Sequence, residues 1–335
     1  MGLFRRYLLL LAAGAAAVAG GVLAVNVVVD PLWYWHGNIV TGENFAFNER
    51  FAKLNRFLRN ADRYDCIILG SSRATLFNEN KISGYRCANL SFASGVVSEF
   101  IATARYLKAR GYSPKLVIVG VDAFNFWRSM EPELTDFVES GEPPPGWLPT
   151  YLTASALNFS LRTLYGKSPI ARAYDANFIG QPDHDAPTYT PPAYDEMTAK
   201  PWKFDSSRQA LFFELRKIFS GARFIGYVPP ISAWQTVEEL HLTGHVDEYI
   251  DAMKTISERF DILYDFSVPS KLTMRTENTY DGSHYHPTVN VSVADVLQGR
   301  KRNWGIDVRK VTATEYIRIY NEAIDDFLQR LDAAK

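Results

Sequence analysis

The segment CIILGSSR, residues 66–73, decides the fold. Its first four residues form an apolar run without polar alternation, which is typical of a strand buried on both faces of a parallel sheet. A serine in the turn after such a strand lies at the carboxyl edge of the sheet, where open α/β sheets build their sites. The turn would expose the Ser72 hydroxyl and offer backbone N–H groups to a developing oxyanion. Taken by itself, the segment also fits an ordinary strand-to-loop exit, which is common.

Outward from this segment, short apolar runs alternate with amphipathic stretches. The repeated order of strand, helix and strand predicts an α/β domain with a doubly wound, mainly parallel, five-stranded sheet. The predicted strands are residues 66–69, 86–92, 115–121, 223–228 and 261–266. The predicted helices are residues 48–60, 97–110, 151–165, 208–219, 246–260 and 313–331.

The first thirty residues predict a membrane anchor. Residues 7–29 carry no charge and one strongly polar side chain, Asn26, and as a helix they reach roughly 34 Å, enough to cross a hydrocarbon core of about 30 Å. Because Arg5 and Arg6 precede this stretch, the positive-inside bias leaves the N-terminus in the cytoplasm. We therefore expect a cytoplasmic stub and anchor at residues 1–30 and a periplasmic or extracellular domain at 31–335. A cleaved signal peptide is the alternative, although its apolar core is usually only about 7–15 residues long.

Composition excludes several classes of protein. The formal net charge of −1 gives no field that would favour a nucleic-acid partner. Two cysteines, Cys66 and Cys87, are too few for a disulfide-stapled miniature fold or a cysteine-built zinc cluster. They belong to neighbouring predicted strands, so a disulfide between them stays open. Eleven of the 17 prolines fall between residues 131 and 203. We expect an irregular insertion at about 131–205, either a surface elaboration or a substrate-covering loop.

A second polar segment, DGSHYHP at residues 281–287, contains an acid and a base. A serine that attacks a carbonyl needs a base for its proton, and the base needs a partner that fixes its tautomer. Asp281, three residues before His284, can supply that partner from the same loop. The chain has only six histidines, so two of them beside an aspartate are uncommon. A polar loop with a capping aspartate is the alternative interpretation.

Together the GSSR turn and the DGSH segment resemble the motifs of the SGNH, or GDSL-like, hydrolase superfamily. This resemblance implies a flavodoxin-like sheet with Ser72 as nucleophile, His284 as base and Asp281 as the acid that orients the base. It also places oxyanion donors at the backbone N–H groups of Ser72 and Gly95. It implies no cofactor and no metal.

One position departs from the family pattern. The third motif of the superfamily is usually G-x-N-D, but this chain reads GVDA at residues 120–123. Asp122 therefore stands where an asparagine would donate to the oxyanion. An ionised Asp122 cannot donate, so it must stay protonated in an apolar site, or Asn125 or another donor must substitute. Losing one donor typically costs about 10²–10³ in rate. Arg73 would either clamp an anionic substrate group or pair with Asp122 or another acid.

The anchor and both motifs resemble most the membrane-anchored alginate O-acetyltransferases and the D-alanyl-lipoteichoic acid biosynthesis protein. That resemblance implies a membrane-tethered, serine-dependent acyltransferase or esterase acting on a cell-envelope or exported glycan. It also implies an acyl donor, a glycan acceptor and a multi-spanning membrane partner that delivers the acyl group. The alternative is a catalytically silent scaffold or glycan-binding protein, and Asp122 is its main support.

Overall fold

A mainly parallel sheet forms the centre of the protein in its computed structural model, which describes residues 2–127, 130–301 and 304–333. The strands along the chain are β1 (Glu43–Phe45), β2 (Cys66–Leu69), β3 (Cys87–Asn89), β4 (Leu116–Gly120), β5 (Arg172–Asp175), β6 (Gly180–Pro182), β7 (Arg223–Val228), β8 (Ile262–Asp265) and β9 (Ile306–Asp307). The main sheet has the order β3-β2-β4-β7-β8-β9, in which only β9 is antiparallel. The α/β class and the five predicted strands are confirmed. The predicted strand number is corrected to six, because a two-residue edge strand has no periodicity that a sequence could reveal.

Helices cover both faces of this sheet, as a doubly wound fold requires. The helices are α1 (Gly2–Val29), α2 (Glu49–Leu58), α3 (Val97–Ala109), α4 (Asp136–Ser140), α5 (Trp147–Tyr151), α6 (Ala154–Leu164), α7 (Gln209–Ile218), α8 (Ala233–Thr236), α9 (Val246–Ser257), α10 (Pro287–Leu297) and α11 (Ala313–Ala333). Successive residues of a strand face opposite sides. Ile67 and Leu69 of β2 accordingly join the core formed with α3, α7, α9 and α11, and Ile68 joins the core formed with α10.

The insertion is more regular than the sequence predicts. The hairpin of β5 and β6 pairs with β1 in a three-stranded antiparallel sheet. The helix predicted at residues 151–165 is α6, and the unpredicted short helix α5 precedes it and ends at Tyr151. Thr153 starts α6 by accepting a hydrogen bond from the Ala156 N–H at 3.1 Å. Local sequence patterns miss the small sheet because its strands come from distant parts of the chain.

Helix α1 is long and apolar enough to span a membrane or act as a signal anchor, with a mean hydropathy of 2.4 in its most apolar window. Its C-terminal turns belong to the folded domain. Asn26 donates to the Tyr151 carbonyl oxygen at 2.8 Å and accepts from the Ser160 hydroxyl at 2.7 Å. Asp30 then accepts hydrogen bonds from the Tyr151 hydroxyl and from the backbone N–H groups of residues 34–37, the latter at 2.7–2.9 Å. The helix is therefore joined to the insertion through buried polar contacts.

A disulfide joins Cys66 and Cys87, the pairing that the sequence left open. The two residues are direct partners in the parallel register of β2 and β3. The loop that the bond closes contains the serine turn at residues 70–73. The disulfide therefore restricts the unfolded chain around the residues of greatest chemical interest.

We predict that replacing both cysteines by alanine lowers the free energy of unfolding by about 3 kcal/mol, because the bond removes the closure entropy of a loop of roughly twenty residues. Urea unfolding of the full-length protein in detergent micelles measures this change. The wild-type protein in excess reductant should match the double variant. Equal stability of the variant and the oxidised wild type would contradict the prediction.

Candidate active site

Ser72 lies in the turn after β2, at the carboxyl edge of the sheet. Ser71 caps this turn: its Oγ accepts a hydrogen bond from the Arg73 N–H at 3.2 Å, and the residue is fully buried. Ser72 begins the short 3₁₀ helix Ser72–Ala74 and stays partly exposed. Gly70 is required before the turn, because a Cβ atom there would lie 2.6 Å from the Ala74 Cβ. The local sequence thus gives the capping role to Ser71 and leaves Ser72 as the serine that can face a substrate.

The structure brings Asp281 and His284 into direct contact. His284 Nδ1 lies 2.7 Å from Asp281 Oδ2, and Oδ1 accepts from the backbone N–H groups of Ser283 and His284 at 2.9 and 2.8 Å. Burial acts to raise the pKa of Asp281, but these hydrogen bonds outweigh it and hold that pKa below its ordinary value. An ionised Asp281 favours the His284 tautomer that carries its proton on Nδ1, which leaves Nε2 as a proton acceptor.

Packing also restricts the His284 ring. Tyr280 stacks on it, with ring centroids 5.4 Å apart and an interplanar angle of 3°. Gly282 has a φ of 81°, and a Cβ atom there would lie 2.6 Å from the Tyr189 ring, so glycine is required. Tyr189 is itself hydrogen-bonded to the Ser232 hydroxyl at 3.1 Å. The histidine loop is therefore held by aromatic contacts as well as by Asp281.

Arg73 connects the serine turn to the histidine loop. Its Nε donates to Ser283 Oγ at 2.9 Å, its Nη1 to Asp122 Oδ1 at 3.2 Å and its Nη2 to Glu239 Oε1 at 2.7 Å. The charged side chains are at most 8% exposed. Burial acts to lower the pKa of Arg73, but Glu239 and Asp122 outweigh it and raise that pKa. The predicted pairing of Arg73 with an acid is confirmed. Each of its three guanidinium nitrogens donates one hydrogen bond to a protein side chain, and the alternative role as a substrate clamp stays a prediction.

Ser72 and His284 lie on adjacent turns without a direct bond. Their chain neighbours, Arg73 and Ser283, are hydrogen-bonded. His284 Nε2 is buried and has no hydrogen-bond partner among the described residues, Ser72 included. Leaving a buried polar atom unpaired costs about 1–3 kcal/mol, so Nε2 is poised to accept a donor. Catalytic hydrogen bonds are often long in free enzymes and shorten when the substrate binds.

Asp122 and Asn125 are the two side chains that the sequence analysis names as candidate oxyanion donors. Burial raises the pKa of the fully buried Asp122, against the opposing effects of Arg73, Ser71 and His284. A raised pKa is what a neutral, donating Asp122 would need. Asn125 accepts from the Val97 N–H at 2.7 Å through Oδ1, which assigns the orientation of its amide. Its Nδ2 is buried and unpaired within the described ranges. Asn125 thus has an unused neutral donor.

The prediction for Gly95 needs correction. Its N–H donates to the Phe92 carbonyl oxygen at 3.2 Å, in a turn where Ser94 has a φ of 56°, so this group is not available to an oxyanion. Glycine is needed there for packing, because a Cβ atom would lie 2.7 Å from the Gly70 carbonyl oxygen. By contrast, we find no hydrogen bond from the Ser72 N–H in the part of the chain that the structure describes. That donor remains suitable for the predicted role.

Two contributors to the site were not predicted. Glu239 lies in a π-helical turn, Val237–His241, a geometry often found at functional sites, and no sequence signal marks it. Arg172 of β5 is fully buried, donates to Glu49 through two hydrogen bonds of 2.8 Å and neighbours the Tyr280 hydroxyl. Together with Tyr189, it brings the insertion into contact with the histidine loop. An arginine in a polar stretch cannot be distinguished from a surface residue by sequence alone.

A large groove lies away from this site. It encloses about 910 Å³ and is lined by Leu116, Arg223 and Ile262, at the amino ends of their strands. None of its lining residues belongs to the serine turn or the histidine loop. The candidate site is therefore identified by its hydrogen-bonding geometry rather than by a large cavity.

No protein-family model and no curated protein matches the chain. Among solved structures, one assigned as a platelet activating factor from Streptococcus pneumonia has a TM-score of 0.40 and 7% identity, covering 75% of this chain and 92% of that chain. Another, assigned as a GDSL-like lipase from Parabacteroides merdae, has a TM-score of 0.34 and 12% identity, covering 71% and 98%. Similarities this low establish neither a family nor an activity, so any assignment of function rests on the geometry of the site.

Proposed function

We propose that this protein is an SGNH-type enzyme that transfers or hydrolyses acyl groups through Ser72. The observation that carries the proposal is the 2.7 Å contact between His284 Nδ1 and Asp281 Oδ2, in a loop bonded to the serine turn through Arg73 and Ser283. The positions of the parts support it as well. Ser72 follows an inner strand of a parallel sheet, and the acid and the base share one loop packed against its turn.

In the proposed reaction, Ser72 Oγ attacks the acyl carbonyl carbon while its proton passes to His284 Nε2. The tetrahedral intermediate then collapses, and the leaving alcohol takes that proton from His284. The acyl-serine ester that remains is attacked by a sugar hydroxyl or by water, which gives its proton to Nε2. Expulsion of Ser72 Oγ, reprotonated by His284, completes the cycle. Asp281 stabilises the imidazolium at both stages.

The negative charge of each tetrahedral intermediate would be stabilised by the Ser72 N–H and the Asn125 side-chain amide. Both donors are unpaired within the described chain, as preorganised donors of an oxyanion hole should be before substrate binds. In this arrangement Asn125 replaces the missing asparagine. Asp122 instead serves as a partner of Arg73.

We further propose that the acceptor is a cell-envelope or exported glycan and that the site faces the periplasm or the exterior. The anchor helix preceded by Arg5 and Arg6 supports this orientation, and a disulfide is typical of oxidising compartments. An anchored enzyme stays where acyl donors emerge from the membrane, which favours transfer and a multi-spanning partner that delivers the acyl group. Hydrolysis would use the same acyl-serine with water as acceptor.

A second function, a silent scaffold that binds an envelope glycan, is favoured by one observation. His284 Nε2 is buried and makes no hydrogen bond to Ser72. If the turns do not close on substrate, the same residues form a static polar cluster. Ester turnover and covalent labelling of Ser72 distinguish these two functions.

We predict that Ser72→Ala lowers the turnover of p-nitrophenyl acetate by the full-length protein in micelles at least about 10³-fold, because the nucleophile is lost. Ser71→Ala, the matched control in the same turn, should lose about 1 kcal/mol of stability with its cap but keep the nucleophile. A fluorophosphonate probe should label the wild type and Ser71→Ala, and not Ser72→Ala. The catalytic proposal would be contradicted if the wild-type protein neither turned over the ester nor reacted with the probe.

We predict that Arg73→Met lowers the free energy of unfolding by about 3–5 kcal/mol near neutral pH, because Asp122 and Glu239 become unpaired buried acids. Burial already raises the pKa of both carboxyl groups. Removing Arg73 raises the folded-state pKa values of Asp122 and Glu239 further. The stability of the variant is therefore retained below the unfolded-state pKa of about 4, and it is lost as the pH rises through the folded-state pKa values. Urea unfolding between pH 4 and 8 should therefore show a deficit that grows with pH.

Arg105→Met is the control for this experiment, because Arg105 forms an exposed ion pair with Glu214. Its effect should stay below about 1 kcal/mol at every pH. A deficit in Arg73→Met that is small, or that is the same at pH 4 and pH 8, would show that Arg73 does not neutralise the two buried acids.

A further inference from the structure

We infer that the surface formed by residues 35–40 and helices α5 and α6, here called the α5–α6 surface, lies in the outer interface of the bilayer beside α1. This inference depends on α1 spanning the membrane and is independent of the proposed catalytic function. The occupant that we assign to the surface is lipid, namely the headgroup region and the first part of the acyl chains.

Exposed apolar side chains are concentrated on the α5–α6 surface and its immediate continuation. Outside α1, twelve large hydrophobic residues of the described chain are exposed, and ten of them fall within residues 35–40 and 147–170. Among them are Ile39 at 64%, Leu152 at 46% and Tyr165 at 77% exposure. Scattered apolar residues are normal on a protein surface, but such concentration in two segments marks a contact surface.

The α5–α6 surface is attached directly to the end of α1. Asn26 bonds both the Tyr151 carbonyl oxygen and the Ser160 hydroxyl, at the end of α5 and within α6. Asp30 holds residues 34–37 by four backbone N–H groups. Because these polar contacts are buried, the surface has a fixed position relative to α1 and must follow α1 to the membrane.

The length of α1 sets the depth of the surface. Residues 2–21 are uncovered, whereas contact with the rest of the protein begins at Val22. The uncovered, uncharged part, residues 7–21, reaches about 22 Å as a helix, which is about 8 Å short of a 30 Å hydrocarbon core. The turns of α1 from Val22 onward, which contact the rest of the protein, must therefore span the remaining part of the hydrocarbon core. The elements packed on these turns reach the same depth in the bilayer. Amphipathic surfaces in the membrane interface penetrate the bilayer by about 5–10 Å, and this depth agrees with the length that the covered turns must supply.

The aromatic composition fits this position. Trp35 and Trp147 lie together, with ring centroids 5.3 Å apart, and both are partly exposed. Tryptophan and tyrosine are enriched where a membrane protein meets the headgroups, because their rings are apolar and their N–H or O–H groups bind water. The most exposed of these aromatics, Tyr165, follows α6 directly.

The test uses the full-length chain, synthesised cell-free under oxidising conditions into lipid nanodiscs that contain no other membrane protein. Leu152→Cys places a bimane label on the α5–α6 surface, and Leu242→Cys is the matched control, since the two leucines are 46% and 41% exposed. Because Cys66 and Cys87 form a disulfide, the introduced thiol is the one that reacts. Leu164→Cys on α6 repeats the measurement at a second position. Lipids with a nitroxide near the headgroup quench the label from the membrane, and iodide quenches it from water.

We expect quenching by lipid nitroxide to be at least about five-fold stronger at positions 152 and 164 than at 242, with the reverse order for iodide. Equal lipid quenching at all three positions would overturn the inference. Labels at 152 and 164 that stay open to iodide in pure lipid, and become protected only when a membrane protein is added, would also overturn it. That outcome would assign the surface to a protein partner.

Discussion

The buried guanidinium of Arg73 is the constraint on which the candidate site depends. A cation can be buried only when charged or polar partners replace its water. Arg73 finds these partners on three separate elements: Asp122 after β4, Glu239 in the π-helical turn and Ser283 in the histidine loop. Because the arginine immediately follows Ser72, its hydrogen bond to Ser283 also joins the serine turn to the histidine loop. The planar guanidinium group can donate to all three partners at once. A lysine ammonium would place a single compact charge among the same three partners.

This interaction also accounts for an aspartate at position 122. An asparagine there would leave Arg73 with Glu239 as its one acidic partner, whereas Asp122 adds a second carboxylate at 3.2 Å. The two carboxyl groups outnumber the single positive charge of Arg73, and burial raises the pKa of both. A short distance along the chain, the side-chain amide Nδ2 of Asn125 is unpaired within the described ranges. Asp122 is therefore best understood as a partner of Arg73.

The sequence predicts what local interactions determine. The apolar runs of β2 and β4 predict buried parallel strands, and the three-residue spacing of Asp281 and His284 predicts their contact. It fails where distant residues decide the outcome. Glu239 and Ser283 reach Arg73 from 166 and 210 residues away. Likewise, β5 pairs with β1 although β2, β3 and β4 lie between them in the sequence. Gly95 shows a different limit: a motif predicts that its N–H is a donor, but the local turn uses that N–H for Phe92.

The insertion connects helix α1 with the candidate site. At one end, Tyr151 and Ser160 bind the last turns of α1. At the other end, Arg172 and Tyr189 contact the loop that carries His284. Between α1 and α2 the chain is likewise held by Asp30, Asn38 and Asn44, each buried and hydrogen-bonded. In this described segment, no flexible spacer separates helix α1 from the domain. If α1 spans a membrane, these packed elements fix the distance and orientation of Ser72 relative to the bilayer.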